Sequence, residues 1–175
     1  MKNRKALLLT LLLLLSVFIA GSVYIMNRQH GITSEDRQAL LSRNGNHVVI
    51  LREIHIKDSI ISEIMDQQSG YGYAQFEKND RGNYILKTRM VRTRQEDSIV
   101  TDIIEINDEM YEILMCNAGG LEYAEVSYTD DTTGEKVEPL RVDMHNQTVA
   151  LLKAPEYSSY TRKVTFYNYE GDRFE

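Results

Sequence analysis

The feature that most constrains this chain is an uncharged apolar stretch near its N-terminus. Residues 6–26 read ALLLTLLLLLSVFIAGSVYIM, 21 residues without a charged side chain. As a helix, this stretch would be about 30 Å long, the thickness of the hydrocarbon core of a bilayer. Lys2, Arg4 and Lys5 precede it, and short basic flanks stay in the cytoplasm. We therefore expect a cytoplasmic tail over 1–5, one transmembrane helix over 6–26 in the cell membrane, and an extracytoplasmic remainder.

The same stretch also fits a secretory signal peptide. Ala20-Gly21-Ser22 places small residues where a signal peptidase inspects the chain, and cleavage after Ser22 would release a secreted protein. Against cleavage, residues 23–26 continue the apolar run, and Tyr24 suits the membrane interface. We favour the uncleaved anchor, and both alternatives place the remaining chain outside the cytoplasm.

The remainder is acidic and has the length of one domain. Without the three basic residues of the first 26, it holds 17 Lys and Arg against 26 Asp and Glu, a formal net charge of −9. Nucleic acids require a positive field, so we expect no nucleic-acid partner. The single cysteine, Cys116, excludes an intrachain disulfide.

Residues 27–46 form a juxtamembrane linker in this interpretation. Thr33 and Ser34 followed by Glu35 and Asp36 are typical of a helix start, because a hydroxyl caps the first turn and acids favour its positive end. Asn44-Gly45 is typical of a helix end. The pattern predicts one short helix within the linker.

From residue 47 onward, short segments rich in β-branched and aromatic residues alternate with turn residues. Strands this close together leave no room for crossover helices, so their sheets must be largely antiparallel. The predicted strands are 47–56, 58–68 with a bulge, 71–77, 83–94, 98–106, 110–116, 121–129, 137–142, 148–152 and 163–169.

These segments predict an all-β fold over 47–175, an antiparallel two-layer β-sandwich with a barrel as the alternative. An immunoglobulin-like topology is one option, although the chain lacks the Trp of the immunoglobulin hallmark. The layout resembles small membrane-anchored extracytoplasmic proteins of bacteria with a β-sandwich domain. That resemblance is one of architecture and implies no activity.

A basic segment within the acidic domain is the first candidate site. It comprises Arg81, Lys87, Arg89, Arg92 and Arg94. Such a cluster of positive side chains would suit a polyanionic ligand. We favour a structural interpretation, in which strands 83–94 and 98–106 form a hairpin that pairs Arg92 with Asp102 and Arg89 with Glu105.

Tyrosines near the C-terminus are the second candidate. Tyr157, Tyr160, Tyr167 and Tyr169 crowd the last 20 residues, and tyrosine is common at binding hot spots. Tyrosine also favours strands, so packing within the sheets is the simpler interpretation. If the domain binds a partner, we expect these four residues, or loops far from the anchor, to form the interface.

The chain carries no motif that indicates a metal site, a cofactor site or a catalytic site. The acidic loops lack the alternating ligand spacing of calcium sites, and His47 and His55 are too far apart on one strand to share a zinc ion. We therefore expect no enzyme, no metal and no cofactor. The leading hypothesis is a tethered interaction module for another envelope protein or membrane complex. The alternatives are a secreted binding protein and an envelope hydrolase.

Overall fold

A computed structural model describes residues 11–23, 31–43, 47–68, 70–92, 99–116, 120–145, 147–156 and 159–174. Residues 11–23 form helix α1, and Ser34–Leu41 form helix α2. Thr33 caps α2 as the sequence predicts. Its hydroxyl accepts a hydrogen bond from the backbone N–H of Asp36, and the Asp36 carboxylate accepts one from the backbone N–H of Thr33. This reciprocal pair satisfies backbone donors that a helix start otherwise leaves open.

Ten strands follow the two helices. They are β1 (Val48–Ile56), β2 (Ser59–Asp66), β3 (Gly70–Lys78), β4 (Tyr84–Arg92), β5 (Ile99–Ile106), β6 (Glu109–Cys116), β7 (Leu121–Asp130), β8 (Leu140–Asp143), β9 (Val149–Lys153) and β10 (Tyr160–Asn168). All strand pairs are antiparallel, which confirms the predicted all-β antiparallel class.

The strands form three sheets. Sheet A has the order β1-β2-β3-β4, sheet B has the order β5-β6-β9, and sheet C has the order β10-β7-β8. Strands β4 and β5 are consecutive in the chain but belong to different sheets. Each lies at an edge of its own sheet, and this arrangement places the candidate site described below.

Sheets A and B pack face to face. Ile61 and Tyr73 of sheet A belong to one buried cluster with Ile104, Ile113 and Val149 of sheet B. These side chains are exposed by 6% or less of their surface. Burying one large apolar side chain contributes about 1.5–3 kcal/mol, so this cluster is a main source of stability.

The opposite face of sheet B packs against sheet C. Leu114 and Ala150 of sheet B cluster with Val126, Tyr128 and Phe166 of sheet C. Sheet B is therefore the middle layer, covered on both sides. The prediction of a two-layer sandwich is incomplete, because it lacks this third layer.

Helix α2 covers the outer face of sheet A. Leu41 clusters with Ile60, Ile64 and Phe76. The order of layers is thus α2, sheet A, sheet B and sheet C. Strand β2 lies between α2 and sheet B, so both of its faces are buried and its sequence lacks the alternation of a half-exposed strand.

Two further predictions are wrong. The hairpin of 83–94 with 98–106 does not form: β4 pairs with β3 and β5 pairs with β6, and the two strands end up in different sheets. The bulge expected in 58–68 lies instead in β1, between Ile50 and Arg52. The strand order also differs from the immunoglobulin topology, since β1 to β4 form one uninterrupted meander.

Within the ranges given above, no helix is both long and apolar enough to cross a membrane. Helix α1 covers the described part of the predicted span over 6–26, and its large apolar side chains are exposed. The predicted tail over 1–5 lies outside the described residues. The transmembrane helix stays a prediction from the sequence.

Candidate binding cleft

A cleft of about 490 Å³ opens between sheet A and sheet B at the side where β4 and β5 form their edges. Strands β3 and β4 form one wall, and β5 with its following turn forms the other. Ligand pockets commonly have volumes of about 300–1,000 Å³, so the cleft is large enough for a ligand. Its polar lining includes Tyr73, Gln75, Glu77, Lys87, Asp102, Glu105 and Asp108.

The tyrosine at the base of the cleft is fixed by a short hydrogen bond. Tyr73 is fully buried, and its hydroxyl donates to Oδ2 of Asp102 at 2.5 Å. Burial raises the pKa of the Tyr73 phenol above its ordinary value, and the Asp102 carboxylate raises it further. The phenol is therefore held in its protonated form, and it joins the two sheets across the cleft.

The cleft carries a negative charge. Glu77, Asp102 and Asp108 contribute carboxylates, Glu105 contributes its backbone carbonyl, and Lys87 contributes the one cation of the lining. Lys87 pairs with Glu77 across β3 and β4 at 2.7 Å, which neutralises one carboxylate. A low-dielectric wall concentrates the field of the others, so the cleft attracts cationic groups.

The register of sheet B determines which way the backbone of β5 points. The N–H of Cys116 donates to the C=O of Thr148, and the N–H of Ala154 donates to the C=O of Met110. Alternate residues of an antiparallel strand bond to opposite neighbours, so the even-numbered residues of β6 bond to β9 and the odd-numbered ones to β5. Odd-numbered residues of β6 pair with even-numbered residues of β5. The odd-numbered residues of β5 therefore direct their N–H and C=O groups toward the free edge.

Two contacts agree with this direction. The Gln75 amide donates to the C=O of Glu105 at 2.8 Å, and the N–H of Ile103 donates to Oδ1 of Asp102 at 2.9 Å. Among residues 101–105, four edge groups take no such bond. They are the N–H and C=O of Thr101, the C=O of Ile103 and the N–H of Glu105. Such groups template the pairing of another strand.

An apolar pair adjoins this edge. Ile103 is 44% exposed and Met110 is 48% exposed, and both lie on the face of sheet B that points toward sheet C. We call Ile103 and Met110 the apolar shoulder. The edge of β5 thus presents an acidic cleft on one side and an apolar surface on the other.

Among the tyrosines predicted as an interface, Tyr160 is partly buried. Its hydroxyl donates to Oε1 of Glu112 at 2.9 Å, and its ring meets Tyr128 edge to face with centroids 5.4 Å apart. Tyr160 therefore packs between sheets B and C. Tyr157 lies outside the described residues.

The other two predicted tyrosines lie on sheet C. Tyr167 stacks on Tyr123 with ring centroids 4.7 Å apart, and the guanidinium of Arg141 covers the Tyr123 ring at 3.7 Å. The Tyr167 hydroxyl donates to Glu125 at 2.9 Å. Tyr169 is 74% exposed in a turn. The structure brings Tyr167 into a packed stack and leaves Tyr169 apart from it.

The basic segment over 81–94 is divided by local ion pairs. Arg89 pairs with Asp66 at 2.6 Å, and Lys87 pairs with Glu77 at 2.7 Å. Arg94 lies outside the described residues. The predicted pairing of Arg89 with Glu105 is wrong, because Asp66 of sheet A supplies the observed carboxylate.

Four carboxylates with little exposure each pair with an arginine between or beside the layers. These pairs are Glu53–Arg37 at 2.7 Å, Glu63–Arg52 at 3.3 Å, Asp66–Arg89 at 2.6 Å and Glu112–Arg162 at 3.0 Å. Burial would raise the pKa of Glu53, but its hydrogen bond and ion pair with Arg37 lower it. These carboxylates connect neighbouring elements. In the described ranges, no three His, Cys, Asp or Glu side chains come together as a metal site would require.

The geometry defines an all-β protein of three stacked antiparallel sheets with an open acidic cleft between two strand edges. No family model, curated protein or solved structure matches the chain.

The sequence contains one signal that points to this cleft. Asn107 and Asp108 form a two-residue turn, and both have positive φ, 50° and 63°. Such a turn favours a tight hairpin between the flanking strands, so it indicates the pairing of β5 with β6. A strand that takes its hairpin partner from the following segment can leave its other edge open. The approach of β3 and β4 to this edge is tertiary, and no local pattern encodes it.

Proposed function

We propose that this protein is a single-pass, membrane-anchored, extracytoplasmic interaction module that binds another envelope protein or membrane complex without catalysis. The observation that carries the proposal is the cleft between β4 and β5. It combines open backbone groups on β5, a negative field and the exposed apolar shoulder. Open edges and exposed apolar side chains are features that proteins otherwise blunt or bury, and they are typical of binding sites.

The anchor is supported by the apolar stretch over 6–26 and by the exposure of α1. Phe18, for example, is 72% exposed, and an apolar helix of this kind requires an apolar surrounding. The described residues that follow, from Gly31 onward, are bound to the domain. Nη1 of Arg37 donates to the C=O of Gly31 at 2.7 Å, and the same guanidinium bonds to Glu53 of β1. These bonds hold the juxtamembrane residues against sheet A.

Binding rather than catalysis is supported by the groups in and around the cleft. The Tyr73 phenol is buried, protonated and committed to Asp102. The carboxylates of low exposure are committed to arginines elsewhere in the fold. An acid–base mechanism needs a titratable group that is free to exchange a proton with a substrate. A peptide, by contrast, can use the backbone edge directly.

The test is in-cell photo-crosslinking of the full-length protein. A photoreactive residue replaces Ile103 at the cleft in one variant and Tyr169 on the predicted tyrosine surface in a second variant. A third variant carries it at Glu170, an exposed turn position. We expect one reproducible envelope or membrane protein to be captured from position 103 after irradiation, and not from position 170.

Two results would contradict the proposal. Capture from position 169 alone would move the interface to the predicted tyrosines. Recovery of the uncrosslinked protein from the medium, with its N-terminus near Val23, would show the secreted alternative. We expect the protein to convert no small molecule.

A further inference from the structure

We propose that the cleft accepts an extended basic segment of a partner protein, which adds to sheet B as a strand beside β5. This inference rests on the proposed function and names the chemistry of the partner. Strand addition is a common mode of peptide recognition, in which backbone hydrogen bonds give affinity and alternating side chains give specificity.

The backbone of β5 supplies the complementary hydrogen-bonding groups. Thr101 presents both its N–H and its C=O at the edge, which is the arrangement that a closely paired antiparallel partner residue requires. Ile103 adds an acceptor and Glu105 adds a donor, while the other group of each residue is bonded to Asp102 or Gln75. An added strand can thus form hydrogen bonds with three successive edge-facing residues of β5, which are Thr101, Ile103 and Glu105.

The side chains of the added strand would face two different surfaces. Successive side chains of a strand point to opposite sides. On one side they meet Asp102, with Asp108 at the end of the cleft, and on the other side they meet the apolar shoulder. The geometry therefore selects a segment in which Lys or Arg alternates with apolar residues.

A second copy of this chain is a poorer occupant. Pairing of β5 with β5 of another copy would bring two acidic strands together, because each copy contributes Asp102 and Glu105. Like charges opposite one another destabilise a strand pair. The negative lining of the cleft thus favours a basic partner over self-association.

The experiment uses full-length protein in detergent micelles and a fluorescent peptide of sequence Lys-Val-Lys-Val-Lys-Val-Lys. One control peptide replaces every Lys by Glu. A second control replaces every Val by Pro, which keeps the positive charge but removes backbone donors and strand conformation. Binding is measured by fluorescence anisotropy. We expect the Lys-Val peptide to bind and both controls to bind at least about tenfold more weakly, because charge and backbone pairing are each required.

The decisive variant is Glu105→Pro. The Glu105 N–H points to the free edge, and proline is tolerated at edge positions of this kind. The variant removes one donor to the added strand and keeps the carbonyl that Gln75 bonds. Glu105→Gln is the matched control, since it removes the same charge but keeps the N–H. We expect Glu105→Pro to weaken binding roughly fivefold or more beyond the effect of Glu105→Gln.

The outcomes separate this inference from the proposed function. Equal binding by Glu105→Pro and Glu105→Gln, with both variants folded by circular dichroism, would overturn strand addition. Stronger binding of the Glu peptide than of the Lys-Val peptide would contradict the proposal that the partner segment is basic. If position 103 still captures an envelope protein in cells under either result, the proposed function stands and only the inference fails. If the peptide experiment contradicts strand addition and position 103 captures no envelope or membrane protein, both the inference and the proposed function are wrong.

Discussion

Glu112 shows how a single residue joins two layers. It is 0% exposed, its Oε1 accepts from Tyr160, and its Oε2 lies 3.0 Å from the guanidinium of Arg162. Removing one partner of a buried ion pair leaves the other charge unpaired at the interface. Glu112→Ala should therefore lower the free energy of unfolding by about 3–5 kcal/mol. Denaturant unfolding of the full-length protein in micelles measures this change.

Glu77→Ala is the matched control. It also removes the acidic partner of an ion pair, but the Lys87 and Glu77 side chains are 47% and 40% exposed. Exposed pairs contribute about 0–1 kcal/mol, so this variant should change the free energy of unfolding little. Similar losses in both variants would show that burial of Glu112 does not set its contribution.

Tyr160 should make the domain sensitive to alkaline pH. Burial and then the hydrogen bond to Glu112 raise the pKa of Tyr160 from 10.0 to about 12. Between these values the unfolded chain loses the phenol proton more readily than the folded protein, so stability falls as pH rises. Below about pH 10, the unfolded-state pKa of tyrosine, the contribution is fully present.

Tyr160→Phe tests this pH dependence. The variant should show a smaller loss of stability between about pH 10 and pH 12 than the unmodified protein, because it lacks the group with the shifted pKa. Unfolding free energies measured across this range, together with the phenolate absorbance, report the effect. An unchanged slope would assign the alkaline sensitivity to other tyrosines, such as Tyr73 or Tyr128, whose pKa values are also raised.

At the scale of the secondary-structure elements, local patterns were informative where one face of an element is buried. The cap of α2 at Thr33 and most strand positions follow from the residues themselves. The sequence over 58–68 lacks alternation, because β2 is covered on both faces. Which strands pair with each other is harder to predict from the sequence. Charge alone favours the hairpin of 83–94 with 98–106, but β4 and β5 belong to different sheets. The Asn107-Asp108 turn indicates only the pairing of β5 with β6.

Gly72 controls the pairing of β3 with β4. A Cβ atom at this position would lie 1.9 Å from the backbone carbonyl oxygen of Met90, and backbone cannot move aside without separating the strands. Gly72→Ala should therefore destabilise the domain by about 3 kcal/mol, the upper end of the usual cost of overpacking, because this site has no room to relax. It should also loosen the β4 wall of the cleft. Thermal unfolding and hydrogen exchange of β4 amides measure the two effects.

Gly171→Ala provides the comparison for Gly72→Ala. Gly171 has φ +86° in a turn, and a Cβ atom there meets nothing within 4 Å. Only the backbone preference opposes this substitution, which costs about 1–2 kcal/mol. The steric explanation would be contradicted if Gly72→Ala lowered the free energy of unfolding no more than Gly171→Ala does. The close contact with Met90 exists only at Gly72.

For the whole molecule, the sequence could predict that faces are buried but not which elements cover them. The run over 113–116 in β6 is apolar without alternation, which is typical of a strand covered on both sides. Its two covers, sheet A and sheet C, come from segments before and after it in the chain. The cleft has the same origin. Tyr73 and Asp102 come from different sheets, and their contact depends on the stacking of those sheets.

The membrane proposal predicts on which side of the membrane each layer of the domain lies. Helix α2 follows the apolar stretch and covers sheet A, whereas sheet C is the last layer. A transmembrane helix over 6–26 with a cytoplasmic N-terminus would place Tyr169 outside the cell membrane. The Tyr169→Cys variant should react with a membrane-impermeant maleimide in intact cells, because Tyr169 is 74% exposed. Native Cys116 is buried and should stay unlabelled until the protein unfolds.

Asn3→Cys is the opposite probe, and it keeps the basic residues that set the orientation. Its thiol should react only after the cells are permeabilised. Reaction of Asn3→Cys in intact cells, with protection of Tyr169→Cys, would reverse the orientation and place the cleft in the cytoplasm. Labelled Tyr169→Cys protein found in the medium without residues 1–22 would instead establish cleavage after Ser22. In that case the cleft would act in a released protein, since the anchor contributes nothing to its geometry.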